Sequence, residues 1–225
     1  MSYVYINRTS LEKPFTFSNL LELQTKVLEL IRPQNQSALL FAEVDPIITL
    51  GNRQAADEKA NESTIQKFKS QGLRWMAGER GGNETWHGPG QWVGFILTPL
   101  EVFTGDSKGV RKAVYQILEN VLRVVQEYEP HAQIEEGDRL GIWSPTSAIH
   151  TGGKLVSVGI KVKQGYVTSG FAINCHAHEL SFLGINPCGI AGAKPDFLFK
   201  NLDSNQAQIE FEKLPSKLAS AFQIE

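Results

Sequence analysis

The sequence of 225 residues contains only two cysteines, Cys175 and Cys188. This content is far below that of a disulfide-stabilised secreted domain, so it favours a reducing compartment. No stretch reaches the roughly 18–20 consecutive apolar residues of a membrane-spanning helix. Residues 1–13 show neither the pattern of a secretory signal nor that of an Arg-rich transit peptide. We therefore expect a cytoplasmic protein that acts without a membrane.

The chain also lacks an excess of charge of either sign. Lys and Arg together number 22 and Asp and Glu 24, for a formal net charge of −2. A dedicated nucleic-acid binder usually carries a strong basic excess, so we expect no nucleic-acid partner. Hydrophobic residues make up 41% of the chain, which is ordinary for a folded domain. Without repeats, low-complexity tracts or an obvious linker, residues 1–225 are expected to form one domain.

Apolar periodicity predicts an α/β or α+β fold, in which helices flank a mixed sheet. Residues 110–125 form the clearest one-sided helical stripe, and a second helix is predicted at 20–31. A terminal helix is predicted at 210–222, with Pro215 at its start or at a kink. Residues 64–70 are expected to form a short helix after an exposed loop at 54–63. Short apolar runs predict strands at 3–6, 38–44, 47–50, 141–143, 155–162 and 171–175.

The most unusual stretch is residues 78–91, which contain five glycines, and the apolar run 92–97 follows it. Glycines at this density let a backbone approach a ligand closely. Arg80 would pair with an anion and His87 would donate a hydrogen bond, although a long surface turn without a ligand gives the same pattern. The stretch matches neither a dinucleotide fingerprint nor a phosphate loop.

Lys154 and Cys188 are the other candidates for chemistry. Lys154 begins an apolar run, where a lysine is either a solvated charge at a strand edge or a group that acts on a nearby nucleophile. Cys188 lies between Pro187 and Gly189, and such a turn can present a sulfur to a cleft. The alternative interpretation is that Cys188 is a small apolar side chain buried in the protein. As a nucleophile it must be a thiolate, and a nearby ammonium lowers the pKa of a thiol.

A metal site is a further possibility at residues 175–178, where one cysteine and two histidines stand close together. His176 and His178 would share a face if a strand continued through them. No fourth ligand and no pair of cysteines with zinc spacing accompany them. We therefore interpret this segment as a polar strand end and predict no metal.

Taken together, three blocks resemble the octanoyltransferase family, also called lipoate-protein ligase B. The first block is Arg80-Gly81-Gly82 followed by residues 85–91, Thr-Trp-His-Gly-Pro-Gly-Gln. The second block begins at Lys154, includes residues 157–160 and continues to residues 170–174, Gly-Phe-Ala-Ile-Asn. The third is Pro187-Cys188-Gly189. The similarity extends from about residue 48 to residue 192.

The resemblance implies the mixed sheet of biotin and lipoate protein ligases, with one catalytic domain over residues 1–225. Such enzymes transfer an octanoyl group from octanoyl-acyl carrier protein to one lysine of a lipoyl domain. The acceptors implied are lipoyl domains of 2-oxoacid dehydrogenase complexes and the glycine cleavage H protein. Cys188 matches the nucleophilic cysteine of the family, and Lys154 matches the lysine that is paired with it. The implied acyl-pocket residues are Arg80, Gly81, Gly82, Asn83, Glu84, Thr85, Trp86, His87, Ser157, Val158, Gly159, Gly170, Phe171 and Ala172.

The expected chemistry is two-step covalent catalysis that needs no cofactor, because a thioester is already activated. The Cys188 thiolate would attack the donor thioester, and the acceptor amine would then attack the acyl-enzyme. Lys154 would lower the thiol pKa as an ammonium and accept a proton when neutral. Backbone N–H groups near Cys188 and Gly189 are candidates for binding the oxyanion.

One position departs from the family pattern, which commonly has His-Gly before a Phe/Leu-Ala-Leu-Asn strand. Here Ser169 stands where that histidine is expected. Two other functions are kept, and the absence of this histidine is the reason for the second. An ATP-dependent lipoate or biotin ligase on the same fold would make an acyl-adenylate without a nucleophilic cysteine. A non-catalytic protein would bind the acyl carrier or the lipoyl domain without forming an acyl-enzyme.

Overall fold

The computed structural model describes residues 2–8, 10, 12–51, 58–78, 80–146, 152–183 and 185–223. The side chains of residues 2, 3, 58–61 and 188 lie outside this set. The described strands are β1 (Ser2–Asn7), β2 (Ser37–Ala42), β3 (Ile47–Leu50), β4 (Trp75–Ala77), β5 (Thr85–His87), β6 (Gln91–Pro99), β7 (Gln133–Glu135), β8 (Gly141–Trp143), β9 (Lys154–Lys163) and β10 (Tyr166–Asn174). The helices are α1 (Phe17–Ile31), α2 (Glu58–Ser70), α3 (Leu100–Thr104), α4 (Val110–Val125) and α5 (Ser204–Phe222).

Seven of these strands form one mixed sheet in the order β1-β2-β6-β10-β9-β8-β7. The β1–β2 pair is parallel and the other pairs are antiparallel. A smaller sheet has the order β4-β3-β5, in which β3 pairs with β4 in parallel and with β5 in the antiparallel sense. The mixed sheet flanked by helices confirms the predicted fold class.

Helices cover both faces of the large sheet, so its central strands are apolar on both sides. On one face, α4 and α5 enclose a core to which β2 contributes Leu39 and Phe41. On the other face, α1 encloses a second core that receives Leu40 from the same strand. All six residues of β2 are buried, which explains why this strand appears in the sequence as a continuous apolar run. No helix among the described residues is both long and apolar enough to cross a bilayer.

The predicted terminal helix is longer than expected and contains Pro215 within it. A proline has no N–H group, so the carbonyl four residues earlier, that of Phe211, loses its helical donor. The indole Nε1–H of Trp92 donates to this Phe211 oxygen at 2.8 Å. The contact satisfies the free carbonyl and ties α5 to β6, which is why the helix continues from Ser204 through the proline.

The predicted loop at 54–63 is wrong for residues 58–63, which belong to α2; residues 52–57 lie outside the described set. This helix has few apolar residues, so its periodicity is weak in the sequence. Phe68 is fully buried and Ile65 packs beside it, against a third core under the small sheet. These contacts with β3 and β5 stabilise a helix that its own sequence pattern does not predict.

The burial of α4 gives a direct test of the fold. Leu118 is fully buried, whereas Leu30 of α1 is 63% exposed. We expect Leu118→Ala to lower the free energy of unfolding by about 2–5 kcal/mol, because it leaves a cavity in the core. The same substitution at Leu30 should change it by less than about 0.5 kcal/mol. Urea unfolding measures both, and equal losses at the two positions would contradict this packing.

Candidate active site

The candidate site is a cavity of about 420 Å³ between α1, the β6–β10–β9 part of the large sheet, and the segment from Ala77 to His87. This volume lies in the range of small-molecule sites. Its lining changes along its length. Phe17 and Leu21 of α1 give one end an apolar wall beside the Arg80 side chain, whereas Arg32, Lys161 and Lys163, together with Glu29, make the other end charged and mainly cationic. The first end has the character required for an aliphatic chain.

Nine of the fourteen predicted pocket residues line this cavity. They are Arg80, Thr85, His87, Ser157, Val158, Gly159, Gly170, Phe171 and Ala172. The register brings two of the predicted blocks side by side, because Gly170 pairs with Gly159 and Ala172 with Ser157. The sequence blocks around residues 157 and 170 therefore meet as neighbouring strands of the cavity wall.

Trp86 is a predicted pocket residue that the structure places elsewhere. Successive side chains of a strand point to opposite faces, so Thr85 and His87 face the cavity and Trp86 faces away from it. Trp86 is 2% exposed and packs against Phe182, with ring centroids 5.9 Å apart. It belongs to the core under the small sheet.

The other four predicted residues, 81–84, form a loop beside the cavity and are not part of its lining. The Gly81 N–H donates to the Ile160 carbonyl oxygen at 3.3 Å, which anchors the loop on β9. A Cβ atom on Gly51 would lie only 2.2 Å from the Gly82 carbonyl oxygen, so the two backbones touch. The Glu84 carboxylate interacts electrostatically with Arg80. These glycines serve close backbone packing as well as a turn.

Asn83 connects this loop to the third predicted block. Residues Pro187–Gly189 form a single 3-10 turn, in which Gly189 has a φ of +69°. A Cβ atom on Gly189 would lie 3.2 Å from Asn83 Nδ2. The structure therefore places the backbone turn that carries Cys188 against the glycine-rich loop. The Cys188 side chain is outside the described set.

The N–H group of Gly189 was a candidate oxyanion donor, and this expectation is wrong for the described conformation. Gly189 N–H donates to the Asn186 carbonyl oxygen at 2.8 Å, as the 3-10 turn requires. The following N–H, that of Ile190, is also occupied, by the Pro187 carbonyl oxygen. Neither group is available to a ligand while this turn is intact.

Arg80 is held by a residue that the sequence analysis did not select, Thr49 of β3. The guanidinium donates to Thr49 Oγ1 from Nε at 3.2 Å and from Nη2 at 2.9 Å, and to the Thr49 carbonyl oxygen at 2.9 Å. Burial lowers the pKa of Arg80 to about 10, and the Glu84 carboxylate opposes this shift. The side chain therefore remains a cation at neutral pH. A polar residue within the apolar run 47–50 was the available signal for Thr49.

His87 is buried between polar and aromatic partners. Its Nε2 lies 3.2 Å from Thr49 Oγ1 and its Nδ1 lies 2.8 Å from Gln91 Oε1. The Phe17 ring stacks on the imidazole with centroids 4.9 Å apart. Burial and then the Arg80 cation lower the pKa of His87 to about 3, while the hydrogen bond to Gln91 opposes the shift. His87 is thus a neutral wall of the cavity.

Lys154 is only 4% exposed, so the alternative of a solvated charge at a strand edge is wrong. Its Nζ donates to the Leu140 carbonyl oxygen at 2.9 Å and lies 5.6 Å from the centre of the Trp143 ring. Gly141 makes room for it: a Cβ there would lie 2.6 Å from Lys154 Cε, and its φ of +147° also favours glycine. Lys154 is not part of the lining of the cavity described above.

Ser169 occupies an unusual position on β10. Its φ of +64° interrupts the regular strand conformation, and its N–H donates to Gln24 Oε1 of α1 at 3.0 Å. Ser169 and Gln24 both line the cavity, near the point where the lining changes from apolar to cationic. This bond links α1 to β10 across the cavity.

The segment 175–178 does not assemble as a metal site. His176 packs beside the rings of Phe199 and Phe211, at centroid distances of 5.4 and 5.2 Å, whereas His178 stacks on Trp86 at 6.3 Å. The Cys175 thiol is fully buried, and burial raises its pKa well above the ordinary value. Within the described part of the chain, no three potential ligands among His, Cys, Asp and Glu are grouped for a metal ion.

The architecture is that of the lipoate and biotin protein ligases. Protein Ta0514 from T. acidophilum has a TM-score of 0.63 at 13% identity, over 98% of this chain and 83% of that one. Lipoate-protein ligase A bound with ATP has a TM-score of 0.57 at 14% identity, covering 99% and 92% of the two chains. Biotin protein ligase from Leishmania major reaches 0.50 at 12% identity, covering 98% and 70%.

Residues 18–222 match the family model of the lipoyl protein ligase A/B catalytic domain, and the chain belongs to this family. Octanoyltransferase from Desulforamulus reducens is 31% identical over 177 residues, which are 77% of this chain and 72% of the relative. Octanoyltransferase from Cutibacterium acnes is 32% identical over 160 residues, 71% of this chain. The match spans only 54% of the length of that relative.

The burial of neutral His87 predicts how the free energy of unfolding depends on pH. In the unfolded chain its pKa returns to about 6.5, whereas in the folded protein it is about 3. Below about pH 6.5 the unfolded state therefore binds more protons, and the free energy of unfolding falls by up to about 1.4 kcal/mol per pH unit. We expect His87→Gln to remove this part of the pH dependence, and His131→Gln, at an exposed position, to keep it. Urea unfolding at about pH 7.5 and about pH 5 tests the difference, and an unchanged slope in His87→Gln would contradict it.

Proposed function

We propose that this protein is an octanoyltransferase, which moves an octanoyl group from octanoyl-acyl carrier protein to one lysine of a lipoyl domain. The observation that carries the proposal is the cavity, which has an apolar wall where Phe17 stacks on His87 and is lined there by Arg80, next to the loop whose Asn83 contacts the Cys188 turn. The relatives described as octanoyltransferases support it. We propose that residues 1–225 form one catalytic domain, and that the acceptors are lipoyl domains of 2-oxoacid dehydrogenase complexes and the glycine cleavage H protein.

In the first proposed step, the Cys188 thiolate attacks the thioester carbonyl carbon of the donor. A new carbon–sulfur bond forms, and the bond to the carrier thiol breaks. The carrier thiolate leaves with the electron pair of that bond and takes up the proton of the Lys154 ammonium, which leaves Lys154 neutral for the second step. The product is an octanoyl thioester on Cys188, with the acyl chain in the apolar end of the cavity.

In the second step, the neutral amine of the acceptor lysine attacks the same carbonyl carbon. An amide bond forms, the acyl–sulfur bond breaks, and Cys188 leaves as a thiolate. The amine loses one proton, for which neutral Lys154 is the proposed acceptor. In the first step, its ammonium favours the thiolate form of Cys188. Burial strengthens this electrostatic effect, because little water screens the charge.

This chemistry needs neither ATP nor a bound cofactor, since the energy of the new amide comes from the donor thioester. His87 and Arg80 take no proton in the proposed mechanism. Their fixed hydrogen bonds shape this part of the cavity instead. The proposed location is the cytoplasm, because a free nucleophilic thiol persists in a reducing compartment.

The acyl-enzyme is tested by intact mass after mixing with octanoyl-acyl carrier protein in the absence of ATP. We expect a gain of one octanoyl group, because Cys188 retains the acyl chain as a thioester. Cys188→Ala should abolish the gain. Cys175→Ala is the matched control and should keep it, because the Cys175 thiol is buried and its pKa is raised.

Three other results would contradict the proposal in different ways. A gain that persists in Cys188→Ala would exclude Cys188 as the nucleophile. Acyl transfer that requires free octanoate and ATP would identify an adenylating ligase. Binding of the octanoyl carrier protein without any covalent adduct would identify a non-catalytic binding protein.

The role of Lys154 is tested by Lys154→Met, which keeps an unbranched side chain and removes the charge. We expect the acylation rate at neutral pH to fall by about 100-fold or more. The rate should recover in part as the pH rises toward about 8.5, where a free thiol ionises without help. Lys108→Met, at an exposed position, is the control and should behave as the wild type. Rapid-quench acylation across pH measures both, and a wild-type profile for Lys154→Met would remove Lys154 from the mechanism.

A further inference from the structure

Buried polar side chains form one continuous line from the acyl cavity to Lys154. At the cavity end, the Arg80 guanidinium donates twice to Thr49 Oγ1. An arginine has only donors, and a hydroxyl has two acceptor positions and one proton. The Thr49 oxygen thereby accepts two N–H groups, which leaves its own O–H to donate to His87 Nε2, 3.2 Å away.

The later bonds run in the same direction, because the Trp86 and Lys154 carbonyl oxygens can only accept, from Gln91 Nε2 and Asn174 Nδ2. Because His87 accepts at Nε2, its proton is on Nδ1, which donates to Gln91 Oε1 at 2.8 Å. Gln91 Nε2 donates to Asn174 Oδ1 at 2.8 Å, and also to the Trp86 carbonyl oxygen at 3.1 Å. Asn174 Nδ2 then donates to the Lys154 carbonyl oxygen at 3.0 Å. Each side chain accepts from the one before and donates to the next.

The line ends on a backbone that is already held on both sides. Lys154 N–H donates to the Lys194 carbonyl oxygen at 2.9 Å, and the Lys154 carbonyl oxygen also accepts from Asp196 N–H at 3.0 Å. The bond from Asn174 therefore adds a side-chain contact to Lys154, beside β9 itself, which continues from Lys154 into the cavity wall. The Asn174 bond is made to Lys154, the first residue of β9.

We propose that this line, the Arg80–Lys154 hydrogen-bond chain, positions Lys154 relative to the acyl cavity. Thr49, Gln91 and Asn174 are its positioning residues, and none of them reacts. This inference rests on the proposed function for the action of Lys154 on Cys188. Its structural part, the neutral Nδ1–H tautomer of His87, stands independently of any activity.

Burial makes the Arg80–Lys154 hydrogen-bond chain resistant to partial rearrangement. Thr49 and Gln91 are each 1% exposed, Asn174 is 2% and His87 is 4%. Reversing one amide or one tautomer would place donor against donor or acceptor against acceptor with no water to compensate. The Arg80–Lys154 hydrogen-bond chain orients its side chains and does not conduct protons, because Arg80 stays charged and His87 stays neutral near pH 7.

The tautomer is measured on the free protein by two-bond ¹H–¹⁵N correlation of the imidazole nitrogens. We expect the neutral Nδ1–H form of His87, without titration from about pH 5.5 to about pH 8. In Gln91→Glu the new carboxylate still accepts from Nδ1 and favours the imidazolium, so a titration should enter this range. An Nε2–H tautomer or a titrating wild-type His87 would overturn the inference.

The position of Lys154 is measured through the reactivity of Cys188 in a Cys175→Ala background, where Cys188 is the remaining thiol. The rate of alkylation by iodoacetamide against pH gives the Cys188 pKa without any acyl substrate. We expect Gln91→Met to raise this pKa and to slow alkylation at about pH 7 by roughly tenfold, as Lys154→Met does. Gln208→Met, at an exposed position, is the matched control.

The outcomes separate the two proposals. If Lys154→Met slows alkylation and folded Gln91→Met does not, the hydrogen-bond chain is overturned and the Lys154 mechanism stands. If Lys154→Met has no effect, the proposed action of Lys154 fails, and the positioning role fails with it. Should Gln91→Met not fold, Thr49→Val and Thr49→Ser replace it. Only the valine, which lacks the hydroxyl, should slow alkylation, and equal rates in both would overturn the inference.

Discussion

A buried lysine, Lys154, at the first residue of β9 is the constraint on which its surroundings depend. Removing an ammonium from water costs several kcal/mol unless polar partners replace the lost hydration. For Lys154 the Leu140 carbonyl oxygen and the Trp143 ring are such partners, and Gly141 leaves the space that the side chain occupies. All three come from the segment that includes β8, so the β8–β9 pairing determines the environment of the charge.

Close backbone contact is the second feature on which the site depends. The small sheet supplies Thr49 on β3 and His87 on β5, and the loop that precedes β5 crosses β9 at Ile160. Three glycines make this possible, because Gly51 touches Gly82, and a side chain on Gly159 would meet the Arg80 side chain and the backbone of Gly81. The glycine-rich stretch therefore holds two sheets together while it encloses the cavity.

Sequence and structure agree best where a local pattern has a single physical cause. The apolar stripe of α4 and the continuous apolar run of β2 both reflect burial against neighbours that lie along the whole element. They disagree for α2, where one buried phenylalanine replaces a full apolar face, and for Pro215, where an indole from β6 satisfies the carbonyl that the proline leaves free. Neither contact is visible to periodicity, because each joins segments far apart in the chain.

The sequence by itself determined the class of fold, the helical and strand segments with strong periodicity, and the three blocks that contain the candidate residues. The tertiary structure decided which members of those blocks face the cavity, placing His87 in its wall and Trp86 in a core, and it added Thr49. It also decided that Lys154 is buried and that one line of hydrogen bonds leads to it. Residue spacing records local geometry, whereas burial and the direction of a hydrogen bond depend on partners that only the folded chain brings together.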